Sequence, residues 1–360
     1  MSLAVLDETR LSDPWRPTPA RDRHRPYRRS ILTLLLSDSE VRAACDIGAM
    51  VPFLEAALRK EAKGPGPRLP ERVNLGHGRF FLRVMPALLP ESGLLGLKFF
   101  HGSMPDGVRY VVAVCRLETG EVEALVDAAY LTAARTGATS GVATRCLARE
   151  DAAAAGVIGS GLEAETNLRA VCAVRPIERA KVYSRSAGRR EAFAARMSES
   201  LGIPVTATGD PRDAVAGTDI VVVATNTGPD PVTAYEGAWL EPGQHVVSIG
   251  STTAALRELD VAAFTGADTV VLDTTLEQMS HESGDIIAVL DAAPGRLAPV
   301  ALDQIITGEV RGRRSDRDIT LFKSVGSAAQ DLLGAAHVVG EARRLGIGTE
   351  IGEIAAPKRF

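Results

Sequence analysis

The sequence predicts an α/β protein: a Rossmann dinucleotide-binding domain at residues 151–320 and, before it, an α+β domain at residues 31–150. Three observations carry that prediction. After residue 151, short β-branched runs alternate with helical segments, the pattern of a parallel sheet covered on both faces. A glycine-rich turn, Gly156-Val-Ile-Gly159-Ser160-Gly161-Leu162-Glu163-Ala164, joins the first of these runs to a helix. And 360 residues exceed one compact core but suit two domains of ordinary size.

In chain order, residues 1–30 read as a disordered basic leader. The stretch 16–29 carries Arg16, Arg21, Arg23, Arg25, Arg28 and Arg29 among prolines, with almost nothing apolar to bury. Residues 32–61 then read as a short strand and two helical stretches, with Ser37 or Asp38 as N-cap and Glu40 close behind. The turn-rich KGPGPRLPER (63–72) closes that segment. RFFLRVMPAL, LLGLKFFHG, RYVVAVCRLE and EVEALVDAA follow as strands joined by short turns, which predicts an antiparallel sheet with a hairpin at Thr119-Gly120. Leu131, Ala134, Ala138, Val142 and Leu147 recur at helical spacing and predict a long helix leading into the second domain. There, strands are expected in AAAAGVIGSG, AKVYSRS, VTATG, DIVVVATN, HVVSIG and TVVLDT. A strand end, a Gly-containing turn and a C-terminal helix fill 321–360.

Composition excludes several classes. The 45% hydrophobic and 24% charged content is that of a folded globular chain, and a formal charge of −4 gives no global attraction to nucleic acid or acidic lipid. No apolar run approaches the roughly 18 residues of a membrane span, so no membrane association is expected and the cytoplasm is the expected compartment. Cys45, Cys115, Cys146 and Cys172 fall in no paired spacing, and the histidines form no HxH or HExxH group. Neither disulfides nor a metal site are expected.

The turn at 156–164 reads as GxGxxA. Gly159 permits the tight turn, Gly161 lets backbone approach a pyrophosphate, Ser160 lies between them, and Ala164 is small enough for the helix to pack on the strand. The helix N-terminus then offers free N–H groups to phosphate. At the end of the second strand an NAD site usually carries an acid for the ribose 2′-hydroxyl. Here stand Ser184, Arg185 and Ser186, with Arg189 and Arg190 following. An arginine and two hydroxyls suit a 2′-phosphate, so NADP(H) is the expected cofactor, with NAD(H) the alternative.

Lys98 lies in an otherwise apolar strand, where an unpaired ammonium is costly, which marks it as functional. Together with RVMPAL (83–88), LGLKFF (95–100), LETGEVEALVDAAYLTAARTGATSGVAT (117–144), GVIGSG (156–161), DIVVVATNT (219–227), VSIGSTTAALRELD (247–260) and ITLFKSVGSAAQDL (319–332), it resembles the ornithine cyclodeaminase / mu-crystallin family over roughly residues 31–345. The resemblance implies a homodimer whose first domain binds substrate and builds the subunit interface, with the C-terminal helix returning to it. It implies that an α-amino or α-imino carboxylate is gripped by Lys98, by Arg135 of RTGA and by Arg72 of PERVNL, with Arg68 as the alternative to Arg72. The matched segments also place Thr136, Leu162, Thr225, Asn226, Thr227, Ser251 and Lys323 near the cofactor.

One departure separates the chain from the cyclodeaminases, which carry an Asp where Ser251-Thr252-Thr253 puts Thr252. A hydroxyl is no carboxylate base near neutral pH. Position 252 and Arg185 both point to the ketimine reductase / amino-acid dehydrogenase branch. The expectation is therefore an NADP(H)-dependent oxidoreductase acting on the C–N bond of an α-imino or α-amino acid, with Lys98 or a water on Thr252 managing the proton. The alternatives are a cyclodeaminase-type ammonia lyase with bound NAD and a non-catalytic NADP(H)- or small-ligand-binding protein.

Overall fold

Ser37 does cap a helix, and with it the first domain begins. Its hydroxyl and the Glu40 carboxylate close a capping box behind β1 (Thr33–Leu36), so the chain turns at once into α1 (Asp38–Ala44) and then α2 (Ile47–Lys63). The computed structural model describes residues 32–103, 105–227 and 232–358, so the basic leader at 1–30 lies outside the described residues. Five strands follow: β2 (Val73–His77), β3 (Phe80–Leu89), β4 (Leu94–Ser103), β5 (Gly107–Arg116) and β6 (Val122–Asp127). They form the expected antiparallel meander, and Gly120 turns its last hairpin at φ 74°. Two details differ from expectation. The sheet is mixed, because β1 enters through helices rather than a tight turn and runs parallel to β6, Leu34 opposite Ala124. And β2, exposed along its whole length, has no in–out alternation that the sequence could have revealed.

The long helix α3 (Ala129–Leu147) links the domains, and it is buried nearly all round rather than along one stripe. It is sandwiched between α2 on one side and the first helix of the second domain on the other. Its Ala, Gly, Ser and Thr content is the consequence, since only small residues let helix backbones come this close. Its C-terminal carbonyls are capped by arginines. Arg175 donates to Arg145 O (2.8 Å) and Ala148 O (3.0 Å), and Arg313 to Leu147 O (2.6 Å). Cations at the negative end of the helix fix the domain junction.

The second domain runs β7 (Ala154–Ile158), α4 (Leu162–Val174), β8 (Arg179–Tyr183), α5 (Ala187–Leu201), β9 (Val205–Ala207), α6 (Pro211–Val215), β10 (Ile220–Val223) and β11 (His245–Ser248). It continues with α7 (Val261–Gly266), β12 (Thr269–Leu272), α8 (Leu276–Glu282), α9 (Gly284–Ala292), β13 (Val300–Ala301), α10 (Leu302–Thr307) and β14 (Thr320–Lys323). The eight strands are all parallel, in the order β13-β12-β14-β11-β10-β7-β8-β9. The chain winds outward from β7 to β9, then returns past β7 to β10. That reversal opens a crevice at the carboxyl ends of β7 and β10, where open α/β sheets take their ligands. β14 spans the boundary expected at 320 and sits inside this sheet.

From there α11 (Ala328–Leu345) crosses back and packs on β3, β4 and β5 and on α1 to α3, and β15 (Thr349–Ile351) adds an antiparallel edge beside β1. Among the described residues no helix is long and apolar enough to cross a membrane.

The domains come close at Gly137 on α3, where an added Cβ would lie 2.5 Å from the Thr166 carbonyl oxygen on α4. We expect Gly137→Ala to cost about 1–3 kcal/mol of stability, as overpacking does. Urea denaturation of the variant at wild-type stability would show that the two helices part freely here.

Candidate active site

A cavity of about 1290 Å³ lies between the two domains, along the switch point of the parallel sheet. It is too large for a single small acid and suits a dinucleotide with a second ligand beside it.

The loop after β7 forms one end. Gly159 has φ 127°, and a Cβ there would lie 2.1 Å from the Ala224 carbonyl oxygen, so backbone conformation and close approach to β10 both require glycine. Gly161 is the N-cap of α4, and with Leu162 and Glu163 it puts the first turn of that helix on the cavity lining. Ser160 Oγ lies 2.9 Å from Ser184 Oγ and ties this loop to the end of β8. Ser184, Arg185, Ser186 and Arg189 line the cavity there. Arg190 does not: it donates to Ser184 O (3.0 Å) and covers the Tyr183 ring.

The middle is lined by Thr225, Asn226 and Thr227 after β10, by Ile249, Gly250 and Thr252 after β11, and by Thr136 and Leu162 across from them. A buried carboxylate sets the spacing of these loops. Glu258 accepts from Thr225 N (2.6 Å), Thr225 Oγ1 (2.9 Å), Gly250 N (2.6 Å) and Ser248 Oγ (2.7 Å). Lys323 donates to the same Ser248 hydroxyl (3.0 Å) and pairs with Asp285 (3.3 Å). Burial pushes the Glu258 carboxyl above its usual range, while the Lys323 ammonium pulls the other way.

The far end is a floor of buried ions. Lys98 Nζ lies 2.9 and 2.8 Å from the two carboxylate oxygens of Asp331, and Arg135 Nε lies 2.7 Å from Oδ1 of the same residue. Arg135 also donates to Gln330 (3.1 Å). Arg72 pairs with Glu282 (2.6 Å) and donates to the Gly326 carbonyl, which bridges the domains. Burial brings the Lys98 ammonium down to about 8 against the pull of Asp331. Burial acts to raise Asp331, but Arg135 and Lys98 outweigh it and hold the carboxyl below its usual range. Phe81, Phe100 and Tyr110 wall this end, the last two stacked at 4.9 Å.

Most of the residues named from sequence therefore meet in one cleft: Arg72, Lys98, Arg135, Thr136, Gly159, Ser160, Gly161, Leu162, Ser184, Arg185, Ser186, Thr225, Asn226, Thr227 and Thr252. Arg68 does not. It is exposed and bridges backbone to Leu88. Two further residues need correction. Lys323 and Ser251 are fully buried behind the wall: Lys323 in the Glu258 network, Ser251 on Leu256 O (2.6 Å) and Ser283. Ser324, Val325 and Gly326 reach the cleft in their place. Sequence reasoning missed Asp331, although its signal was present: an acid inside the apolar helix run AAQDLLGAA has to be paired.

A parallel sheet with a glycine-rich switch-point loop, opening on a buried cationic floor, defines a nicotinamide-dinucleotide-dependent oxidoreductase. The chain belongs to the ornithine cyclodeaminase/mu-crystallin family, whose model matches residues 32–345. It is 35% identical over 329 residues to the Delta(1)-pyrroline-2-carboxylate reductase of Bacillus thuringiensis subsp. konkukian, which covers 88% of this chain and 99% of that one. Among solved structures it is similar to the Thermococcus litoralis Delta(1)-pyrroline-2-carboxylate reductase in complex with NADH and L-proline, with TM-score 0.82, 33% identity, and 89% of this chain and 100% of that one covered. An archaeal alanine dehydrogenase dimer with bound NAD gives TM-score 0.80 at 31% identity, over 89% and 99% of the two chains.

Burial brings the Lys98 ammonium down to about 8, so below that pH the floor presents an ammonium and above it a neutral amine. Affinity for a small carboxylate should hold up to about pH 7 and fall as pH rises through 8. Calorimetric titration of L-proline into the dinucleotide complex across this range checks the sign; affinity that rises instead would exclude the ammonium as a carboxylate ligand.

Proposed function

We propose that the protein is an NADP(H)-dependent reductase of α-imino or cyclic ketimine acids, able to run in reverse as an amino-acid dehydrogenase. The observation that carries this reading is the juxtaposition of Arg72, Lys98 and Arg135 on one floor, beside a dinucleotide loop and with a hydroxyl rather than an acid at Thr252. Arg72 and Arg135 present planar donors suited to a carboxylate, and Lys98 adds a point charge. Asp331 and Glu282 neutralise two of these three cations, which leaves one positive charge for one carboxylate.

Reduced nicotinamide dinucleotide supplies a hydride when bound. The protein's own part is to hold the acid by its carboxylate, turn its C=N carbon toward the middle of the cleft, and bring a proton to nitrogen. Lys98 and a water on Thr252 are the donors nominated from sequence. The named substrates of the relatives, Delta(1)-pyrroline-2-carboxylate and alanine, carry an α-carboxylate on a small apolar frame, in keeping with a floor walled by Phe81, Phe100 and Tyr110.

NADP(H) is preferred because Ser184, Arg185, Ser186 and Arg189 line the cavity at the end of β8, with no acid among them. Two relatives carry NADH or NAD, and the proposed preference rests on this chain's own residues at 184–189. Homodimerisation is supported by the exposed apolar residues Leu69, Val73, Leu75 and Phe80 along the β2 edge, a surface that a second copy would cover.

NADPH oxidation tested against Δ1-pyrroline-2-carboxylate and a panel of keto acids with amines should show turnover with at least one of them, and no turnover with any would reject the reading. Loss of one Arg–phosphate contact in Arg185→Ala should weaken NADPH binding by about 1.5–3 kcal/mol, roughly ten- to a hundredfold, and leave NADH unchanged. Equal affinities for the two cofactors in the wild type would reject the preference. With ornithine and NAD(+), proline and ammonia should not accumulate at an enzymatic rate, because a carboxylate base worth about 10²–10⁴ in rate is missing at Thr252.

A further inference from the structure

Glu163 is the second residue of α4, directly after the glycine loop; it lines the cavity, and its charged neighbours are the floor residues Arg135, Lys98 and Asp331. Its Oε2 is buried and has no hydrogen-bond partner among the described residues. Two residues further on, Glu165 shows what a structural acid on this helix does, pairing with Arg169 (3.2 Å) and Arg196 (3.1 Å). The cations nearest Glu163 are already engaged, since Lys98 and Arg135 both close on Asp331. A buried carboxylate oxygen without a partner is costly, even on a side chain that is only partly buried. It is retained in a ligand cleft at little net cost only if the ligand completes it.

We infer that Glu163 is the acid of the site, donating its carboxyl proton to the substrate's α-nitrogen during reduction and then, as carboxylate, holding the product ammonium. The inference rests on the imine-reductase reading. An α-imino acid has nitrogen and carboxylate on the same carbon. With the carboxylate on Arg72, Lys98 and Arg135, the nitrogen stays beside the floor, in the part of the cleft that Glu163 also lines. The step balances: the C=N π bond is lost, carbon gains a hydride from the reduced nicotinamide dinucleotide, and nitrogen gains the Glu163 proton. One proton taken up from solvent then converts the amine to the ammonium that the carboxylate holds, and a second restores the Glu163 carboxyl as the product leaves.

The groups facing Glu163 are Lys98 from β4, Tyr110 from β5, Arg135 from α3 and Asp331 from α11. Burial pushes its carboxyl up against the pull of Arg135 and Lys98. A substrate carboxylate, which cancels the remaining positive charge of the floor, pushes in the same direction.

The test uses the full chain loaded with NADPH and reads nicotinamide fluorescence. The probes are L-proline and cyclopentanecarboxylate, which has the same ring and carboxylate without the nitrogen. Wild type should bind L-proline at least about tenfold more tightly, the scale of one charged hydrogen bond. E163Q should bring that ratio close to one while cyclopentanecarboxylate and NADPH bind as before, and E163D should lie between. If E163Q keeps the wild-type ratio, the inference fails and the carboxylate floor stands. If neither probe binds the wild type, the reading of the floor fails and takes the inference with it. In the reduction of Δ1-pyrroline-2-carboxylate, E163Q should lose about 10²-fold or more in kcat with little change in KM, and lose the alkaline limb of its kcat profile at saturating substrate, where the loss of affinity through Lys98 does not register. A Tyr110→Phe variant that loses that limb while E163Q keeps it would assign the proton to the phenol instead.

Discussion

The carboxylate of Asp331 is the constraint on which the site depends. Lys98 comes from β4, Arg135 from α3 and Asp331 from α11, and all three are buried. Two cations without a counter-ion could not be held in this interior, because the cost of removing them from water exceeds any gain from packing. With Asp331 between them, the pair becomes a floor that still has capacity for one anion. The same carboxylate fixes α11 across the first sheet, so the helix that closes the first domain is positioned by the group that prepares the site. Removing Asp331 would leave two unpaired buried charges, and breaking a buried pair costs about 3–5 kcal/mol.

The middle of the cleft follows the same logic with the sign reversed. Glu258 gathers Thr225, Ser248 and Gly250 from two strand ends, and Lys323 and Asp285 complete the network behind them. These groups are set by charge out of contact with ligand, and the loops they hold form the wall. The geometry of the middle of the cleft therefore rests on residues that line none of it.

How much of this was legible depended on the kind of signal. Periodicity and turn chemistry identified α3, the meander and the parallel sheet, because local pattern and final structure agree there. They failed at β2, where an exposed edge strand has no alternation, and at β1, whose parallel pairing with β6 depends on tertiary context. In the site, glycine positions were readable from backbone need, and Lys98 from its cost in an apolar strand. Lys323 carried the same cost signal, yet its partners Ser248, Glu258 and Asp285 lie 75, 65 and 38 positions away by residue number, and it satisfies them behind the wall. Sequence can show that a buried charge needs a partner; whether that partner is protein or ligand is decided by the fold. Glu163 presents the converse case, a charge that reads as an ordinary first-turn helix acid until the fold leaves it without a partner.

This distinction also bears on whether another acid could stand in for the one missing at Thr252. Asp260 is spent as the N-cap of α7, accepting from Ala263 N (2.8 Å) and Gly237 N (2.9 Å). Glu258 is nearer in sequence, but turning it into the cleft would forfeit four hydrogen bonds, each worth about 1.5–3 kcal/mol to a charged group. It would also release the Thr225 and Gly250 loops that the cofactor needs in register. The middle of the cleft at 252–253 is thus lined by hydroxyls, with no anion at these positions to hold a second amine or take its proton. The charges sit elsewhere, with Glu258 and Asp285 behind the wall and Lys98, Arg135 and Asp331 on the floor.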